Sequence, residues 1–87
     1  LCIPHGKSDG VNKSCIAVCR SDKLIPWESI DNQPVNVFVM MAIANKDKAE
    51  LVKVLSRVAM KLCDQSIVET LKTTEDKEVV INIFSKE

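Results

Sequence analysis

From Val35 to Ala44 the chain reads VNVFVMMAIA, with an apolar side chain at almost every position. Side chains alternate across a strand, so Val35, Val37, Val39, Met41 and Ile43 line one face, and Phe38, Met40 and Ala42 the other. A strand apolar on both sides fits a central place in a sheet, covered above and below. Upstream, SCIAVCR (Ser14 to Arg20) is short, apolar and partly β-branched, and reads as another strand. GKSDGVNKS (Gly6 to Ser14) is polar and reads as a loop. SDKLIPWESIDNQP (Ser21 to Pro34), with two prolines and several turn residues, reads as a connection in which Trp27 plugs a core edge.

Downstream the period lengthens. In DKAELVKVLSRVAMKLCD (Asp47 to Asp64), Leu51, Leu55, Val58 and Leu62 recur at helical spacing, and Val52, Val54 and Ala59 widen the stripe. Asp47 is placed to cap this helix, with Glu50 as its capping-box partner. DQSIVETLKTT repeats the grammar, with Asp64 as the cap and Ile67, Val68 and Leu71 as the apolar side. TTEDKEVVINIFSKE opens on a threonine cap and an acidic first turn, which favours a third helix over the β-like run Val79 to Phe84. The predicted order is loop, strand, connection, strand and then helices, an α/β or α+β layer with helices packed on a sheet. Two strands are few for a sheet, and the chain starts at apolar Leu1 without a methionine. The expectation is a single partial domain, residues 1–87, lacking the N-terminal strands or helices of a larger fold.

Composition narrows the function classes. Twelve basic residues balance twelve acidic ones, so no charge excess draws nucleic acid or an anionic membrane. Two phenylalanines, one tryptophan and no tyrosine offer no stacking platform for single strands. The longest apolar run, Val35 to Ala44, is too short to span a bilayer. No nucleic-acid partner and no direct membrane insertion are expected. The cysteines, Cys2, Cys15, Cys19 and Cys63, form no C-x-x-C pair, and the sparse Gly and Pro argue against a disulfide scaffold. Reduced thiols and a cytoplasmic location follow as expectations.

The candidate chemistry centres on His5, the only histidine, in the stretch IPHG. Imidazole is a good nucleophile and is largely neutral near pH 7. Pro4 stiffens the approach by fixing its own φ, and Gly6 lets an anionic group come close to the backbone. A rigid, exposed histidine beside open backbone suits phosphoryl chemistry; a plain Pro-His-Gly turn is the alternative. Cys2, His5, Cys15 and Cys19 supply four zinc ligands on paper. On a strand, however, Cys15 and Cys19 stand about 13 Å apart at about 3.3 Å per residue, too far for ligands that sit about 2.3 Å from one metal. No metal is expected. Gly6-Lys7-Ser8 looks like the tail of a P-loop but lacks the upstream glycine and the leading strand.

CIPHG, a short polar loop, KSCIAVCR and then QPVNVFVMMAIANKDKAELVKVLSRVA resemble the fructose/mannitol class of enzyme IIA domains of the bacterial phosphoenolpyruvate-dependent sugar phosphotransferase system. LCDQSIVETL and TTEDKEVVINIF continue the match over nearly the whole chain. The resemblance implies an α/β sandwich with a mixed sheet flanked by helices, and no metal or organic cofactor. It implies that His5 accepts a phosphoryl group from the phosphohistidine carrier protein and passes it to a sugar-specific enzyme IIB. The same domain type also serves regulatory roles, in transcription regulators and nitrogen-linked phosphotransferase systems. A phosphorylated His5 needs hydrogen-bond donors, and a loop of Gly6, Lys7 and Ser8 is the candidate source. Since two partners must reach His5 in turn, a shallow apolar patch should surround it. The chain departs from the family pattern in two places: the segment that normally precedes PHG is not in it, and Leu51, after Glu50, stands where many members carry a second histidine.

Overall fold

The central strand of the sheet is the one the hydrophobic pattern marks most strongly. In the computed structural model, which describes residues 1–27 and 33–85, the order of elements is β1 (His5–Ser8), β2 (Cys15–Ile25), β3 (Val35–Ala44), a 3₁₀ segment (Asn45–Glu50), α1 (Leu51–Leu62), α2 (Gln65–Thr73) and α3 (Lys77–Ser85). Two compact units result, Leu1–Lys48 and Ala49–Glu87.

The first unit holds a mixed three-stranded sheet in the order β1-β3-β2. β1 runs parallel to β3, pairing His5 with Met41 and Ser8 with Ala44. β2 runs antiparallel to β3, pairing Cys15 with Ala42 and Arg20 with Val37. The register then shifts, and Ile25 pairs with Val35, so β2 advances five residues while β3 advances two. That irregularity carries β2 through Ser21–Ile25, which the sequence pattern assigns to the connection. The rest of that connection includes residues 28–32, which lie outside the described residues.

The predicted loop from Gly6 to Ser14 is also shorter than its polarity implies. Gly6, Lys7 and Ser8 belong to β1, not to a loop. All four β1 residues are exposed, so the strand has no apolar face for a pattern to show. Backbone pairing with β3 makes it a strand. Burial of β3 is likewise one-sided. Val35, Val37, Val39, Met41 and Ile43 are buried, whereas Phe38 and Ala42 are half-buried and Met40 is 51% exposed. Trp27 packs edge-on against Phe38, with ring centroids 5.1 Å apart.

In the second unit, Val58 on α1 and Leu71 on α2 are the fully buried side chains. Leu51, Val54, Leu55 and Leu62 are half-buried beside Val58, as the helical stripe predicts. Val52 (71% exposed) and Ala59 are not part of it. At about 100° per residue they fall a quarter-turn away from Leu51, Leu55, Val58 and Leu62. The capping box at Asp47 does not form: Asn45–Glu50 winds as 3₁₀, the residue before α1 is Glu50, and it makes no side-chain cap. Asp64 does cap α2, accepting from the Ser66 N–H at 2.9 Å and the Ser66 hydroxyl at 2.7 Å. At α3 the cap is Asp76, which accepts from the Glu78 N–H at 2.9 Å. The expected threonine serves one step back, with the Thr74 hydroxyl accepting from the Asp76 N–H at 3.1 Å. Lys61 ties α1 to α3 by donating to the Ile83 carbonyl at 2.5 Å.

Candidate functional site

His5 opens β1 and is exposed. The chain before it is fastened to β3 through alternate residues. Cys2 donates to the Val37 carbonyl at 3.1 Å and accepts from the Val39 N–H at 2.9 Å, and the Pro4 carbonyl accepts from the Met41 N–H at 2.9 Å. In a parallel ladder the residues between those turn their backbone groups away from the partner strand. Ile3 is such a residue, and its outward carbonyl meets the His5 Nδ1 at 2.8 Å. A carbonyl oxygen can only accept, so Nδ1 is the protonated nitrogen of the contact, and in the neutral ring Nε2 keeps its lone pair. The Ile3 carbonyl, two residues before His5, is thus the group that faces Nδ1, while Pro4 between them is tied to β3 through its own carbonyl.

The strand geometry also sorts the residues suggested as phosphoryl donors. His5 and Lys7 pair with Met41 and Ile43, while Gly6 and Ser8 pair with Ala42 and Ala44. Lys7 thus shares a face with His5, and Gly6 and Ser8 sit on the other. Carrying the ladder forward places the Gly6 N–H against β3 and turns the N–H groups of His5 and Lys7 to the sheet edge. The outward amides that flank Gly6 are those of His5 and Lys7, and the segment that carries them is a strand rather than the expected loop. The Ser8 hydroxyl accepts from the Gly10 N–H at 3.0 Å, and the Ser8 carbonyl accepts from the Val11 N–H at 3.2 Å.

An open depression of about 350 Å³ lies at this edge, lined among others by Pro4, His5, Gly6, Val11, Met40 and Ala42. Its walls are mostly apolar. A β-carbon added at Gly6 would meet no heavy atom within 4 Å, so neither packing nor a left-handed backbone calls for glycine there. The glycine leaves space beside the histidine.

Further contacts that the sequence pattern does not reveal hold the chain after β1. Asp9 accepts from the Asn45 side-chain amide. Ser14 donates to Asp47 Oδ2 at 2.6 Å and accepts from the Ala44 N–H at 2.8 Å. Long-range pairs of short polar side chains carry no periodic signal, so no feature of the sequence alone singles them out.

The thiols do not converge with His5. All four cysteines are free, and among the described residues no three or more His, Cys, Asp or Glu side chains are placed to hold a metal ion. Cys2 faces Phe38 across the sheet, and burial pushes its thiol above the usual range. Leu51 is the first residue of α1 and is half-buried. Among the described residues, no helix is long and apolar enough to cross a membrane.

An exposed histidine, its Nδ1 held by a backbone carbonyl, sits on the edge strand of a mixed sheet that is followed in the chain by helices, which makes this an α/β domain. The family described as phosphoenolpyruvate-dependent sugar phosphotransferase system, EIIA 2, matches residues 1–87, and the chain belongs to it. It is 31% identical over 85 residues to a nitrogen regulatory protein of Bradyrhizobium diazoefficiens, covering 98% of this chain and 56% of that protein. It is 26% identical to the fructose-specific EIIA component of Haloferax volcanii, covering 97% of this chain and 54% of that one. The crystal structure of nitrogen regulatory protein IIA-Ntr from Neisseria meningitidis superposes with a TM-score of 0.85 at 30% identity, over 94% of this chain and 56% of that chain. The chain thus spans about half the length of the curated relatives it matches. The structural match agrees with the mixed-sheet α/β class expected from the sequence.

Proposed function

We propose that residues 1–87 belong to a phosphocarrier domain in which His5 Nε2 accepts a phosphoryl group from the phosphohistidine of a carrier protein and hands it to a sugar-specific enzyme IIB. The observation that carries this reading is the 2.8 Å contact between His5 Nδ1 and the Ile3 carbonyl. It commits Nε2 to the role of nucleophile before any partner arrives. In the transfer, the Nε2 lone pair forms the new N–P bond as the donor's N–P bond breaks, and the donor imidazole keeps the released electron pair. Positive charge then builds on the His5 ring, and the Ile3 carbonyl facing the Nδ1–H stabilises it. Positioning and charge stabilisation are the main demands of phosphoryl transfer.

Lys7 is the side chain best placed to meet the phosphoryl oxygens, because strand alternation puts it on the His5 face. The edge N–H of Lys7 adds a donor. Ser8 sits on the opposite face of β1 with its hydroxyl accepting from the Gly10 N–H, so Lys7 rather than Ser8 is the side chain offered to the phosphoryl group. Gly6 contributes the open space. The reading needs no metal or organic cofactor and places the domain in the cytoplasm.

A regulatory role is the second reading. It is favoured by the nitrogen regulatory proteins among the relatives, one by sequence and one by structure. Phosphorylation of His5 belongs to both readings, and onward transfer to a sugar-specific enzyme IIB belongs to the first alone. The test mixes the chain with phosphoenolpyruvate, enzyme I and the carrier protein and looks for an acid-labile phosphohistidine by mass. Label that is absent in His5→Ala and chases onto enzyme IIB supports the transport reading. Label that stays on His5 favours the regulatory one, and an unlabelled wild-type chain overturns both.

A further inference from the structure

β1 has no buried side chain to hold it, yet it carries the one residue whose orientation matters. The chain before His5 is fastened by the backbone bonds of Cys2 and Pro4. The chain after it runs from Ser8 through residues 9–14 into β2. Both ends of that segment are tied to the residues that follow β3. At the near end, the Asn45 amide holds Asp9. At the far end, Asp47 accepts from Ser14, whose oxygen in turn accepts from the Ala44 N–H. Ala44 is also the residue that pairs with Ser8. Between the two ties, Val11 forms one wall of the depression beside His5, and its N–H bonds back to Ser8.

We infer that Asn45 and Asp47 are positioning residues for His5. They clamp the β1–β2 segment at both ends, keep β1 in register on β3, and so hold the imidazole against the Ile3 carbonyl beside the depression that Val11 also lines. Neither residue touches the phosphoryl group. They act through the strand. The inference rests on the phosphoryl-acceptor reading of His5 for its consequence, but the clamp itself is a statement about the ring. Asp47 is thus taken out of helix capping, where its sequence context places it, and given to the site. The 3₁₀ winding of Asn45–Glu50 is what brings both side chains within reach of the segment.

The test uses the 87-residue chain with its imidazole labelled with nitrogen-15. In the wild type, ring shifts should show Nδ1 protonated and Nε2 not. In Asn45→Ala and in Asp47→Ala the two shifts should move toward each other as the ring loses its fixed tautomer. Phosphoryl uptake from the carrier should slow by roughly ten- to a hundred-fold, the scale expected for a small misplacement, with the half-saturating carrier concentration little changed. Asp47→Asn keeps an acceptor for the Ser14 hydroxyl and should restore both readouts. If Asp47→Ala does not fold, Ser14→Ala and Asn45→Ala carry the test. Unmoved ring shifts in folded variants that have lost the ties overturn the clamp. A wild-type chain that takes up no phosphoryl group, with ring shifts that still respond to the variants, upholds the clamp and sinks the acceptor reading instead.

Discussion

β1 and β3 are neighbours in one sheet and are held there by opposite means. β3 places Val35, Val37, Val39, Met41 and Ile43 in the interior, each at most 4% exposed. β1 exposes every residue it has. Hydrophobic burial anchors the first, at about 25 cal/mol per Å² of apolar surface removed from water. The second is anchored by backbone bonds to β3 and by polar side chains at its flanks, each such bond contributing only about 1 kcal/mol net. A strongly held strand thus serves as the template on which a weakly held one is laid, and His5, the proposed acceptor, sits on the weak one. Exposure that does little for stability is what the proposed function requires, in which two partners approach one histidine in turn.

Paired substitutions at facing positions give the largest contrast. His5 and Met41 stand opposite each other in the ladder. Met41→Ala empties a buried site and should cost about 2–5 kcal/mol in urea unfolding. His5→Ala removes an exposed ring and should shift stability by no more than about 0.5 kcal/mol, while abolishing phosphoryl uptake. Equal stability losses at the two positions would show that β1 is part of the buried structure after all.

A middle-sized effect concerns polar fastening away from the sheet. Hydrogen bonds from the Ser66 hydroxyl and then the Ser66 N–H hold the Asp64 carboxyl below its ordinary pKa. A carboxylate whose folded pKa is depressed adds stability above its unfolded pKa, about 3.9, and that stability is lost as pH falls through the folded value. Asp64→Ala should therefore lower the thermal midpoint at pH 7, and the gap to the wild type should narrow as the pH drops below 4. Melting curves across that range decide it. A gap independent of pH would mean that α2 is capped by something other than the carboxylate.

The same contrast explains what was legible in the sequence. β3 reads to the residue, because ten apolar-rich positions leave little choice. The helices read well for the same reason, and Asp64 reads because an N-cap acts within its own turn. β1 does not read: HGKS has neither alternation nor β-branched residues, and its pairing depends on a strand some thirty residues later in the chain. The site divides along the same line. IPHG marks His5 at once, but the Ile3 carbonyl, the shared face of Lys7, and the Asn45 and Asp47 ties all follow from strand geometry that polarity hides. Asp47 shows the cost of local grammar. D-K-A-E spells a capping box, and the 3₁₀ turn at Asn45–Glu50 lets Asp47 bond Ser14 across the sheet end instead.

The smallest expected change in stability is also the sharpest probe of the weak strand. Gly6 has room for a β-carbon and no left-handed backbone, so Gly6→Ala should leave the unfolding midpoint unchanged or raise stability by about 0.5 kcal/mol through the unfolded chain. In a sheet interior such a change would pass unnoticed. On β1, however, the new methyl group is added to a residue that lines the depression of about 350 Å³ next to His5, on the strand face opposite the imidazole. If donors reach Nε2 through that depression, phosphoryl uptake from the carrier protein should fall roughly ten-fold, the cost of about 1.4 kcal/mol at the transition state, with no loss of fold. Uptake at the wild-type rate would place the approach elsewhere along the β1 edge and leave the glycine without a role in transfer. A slower, equally stable variant would establish that the empty space, and not only the histidine, is what the exposed strand maintains.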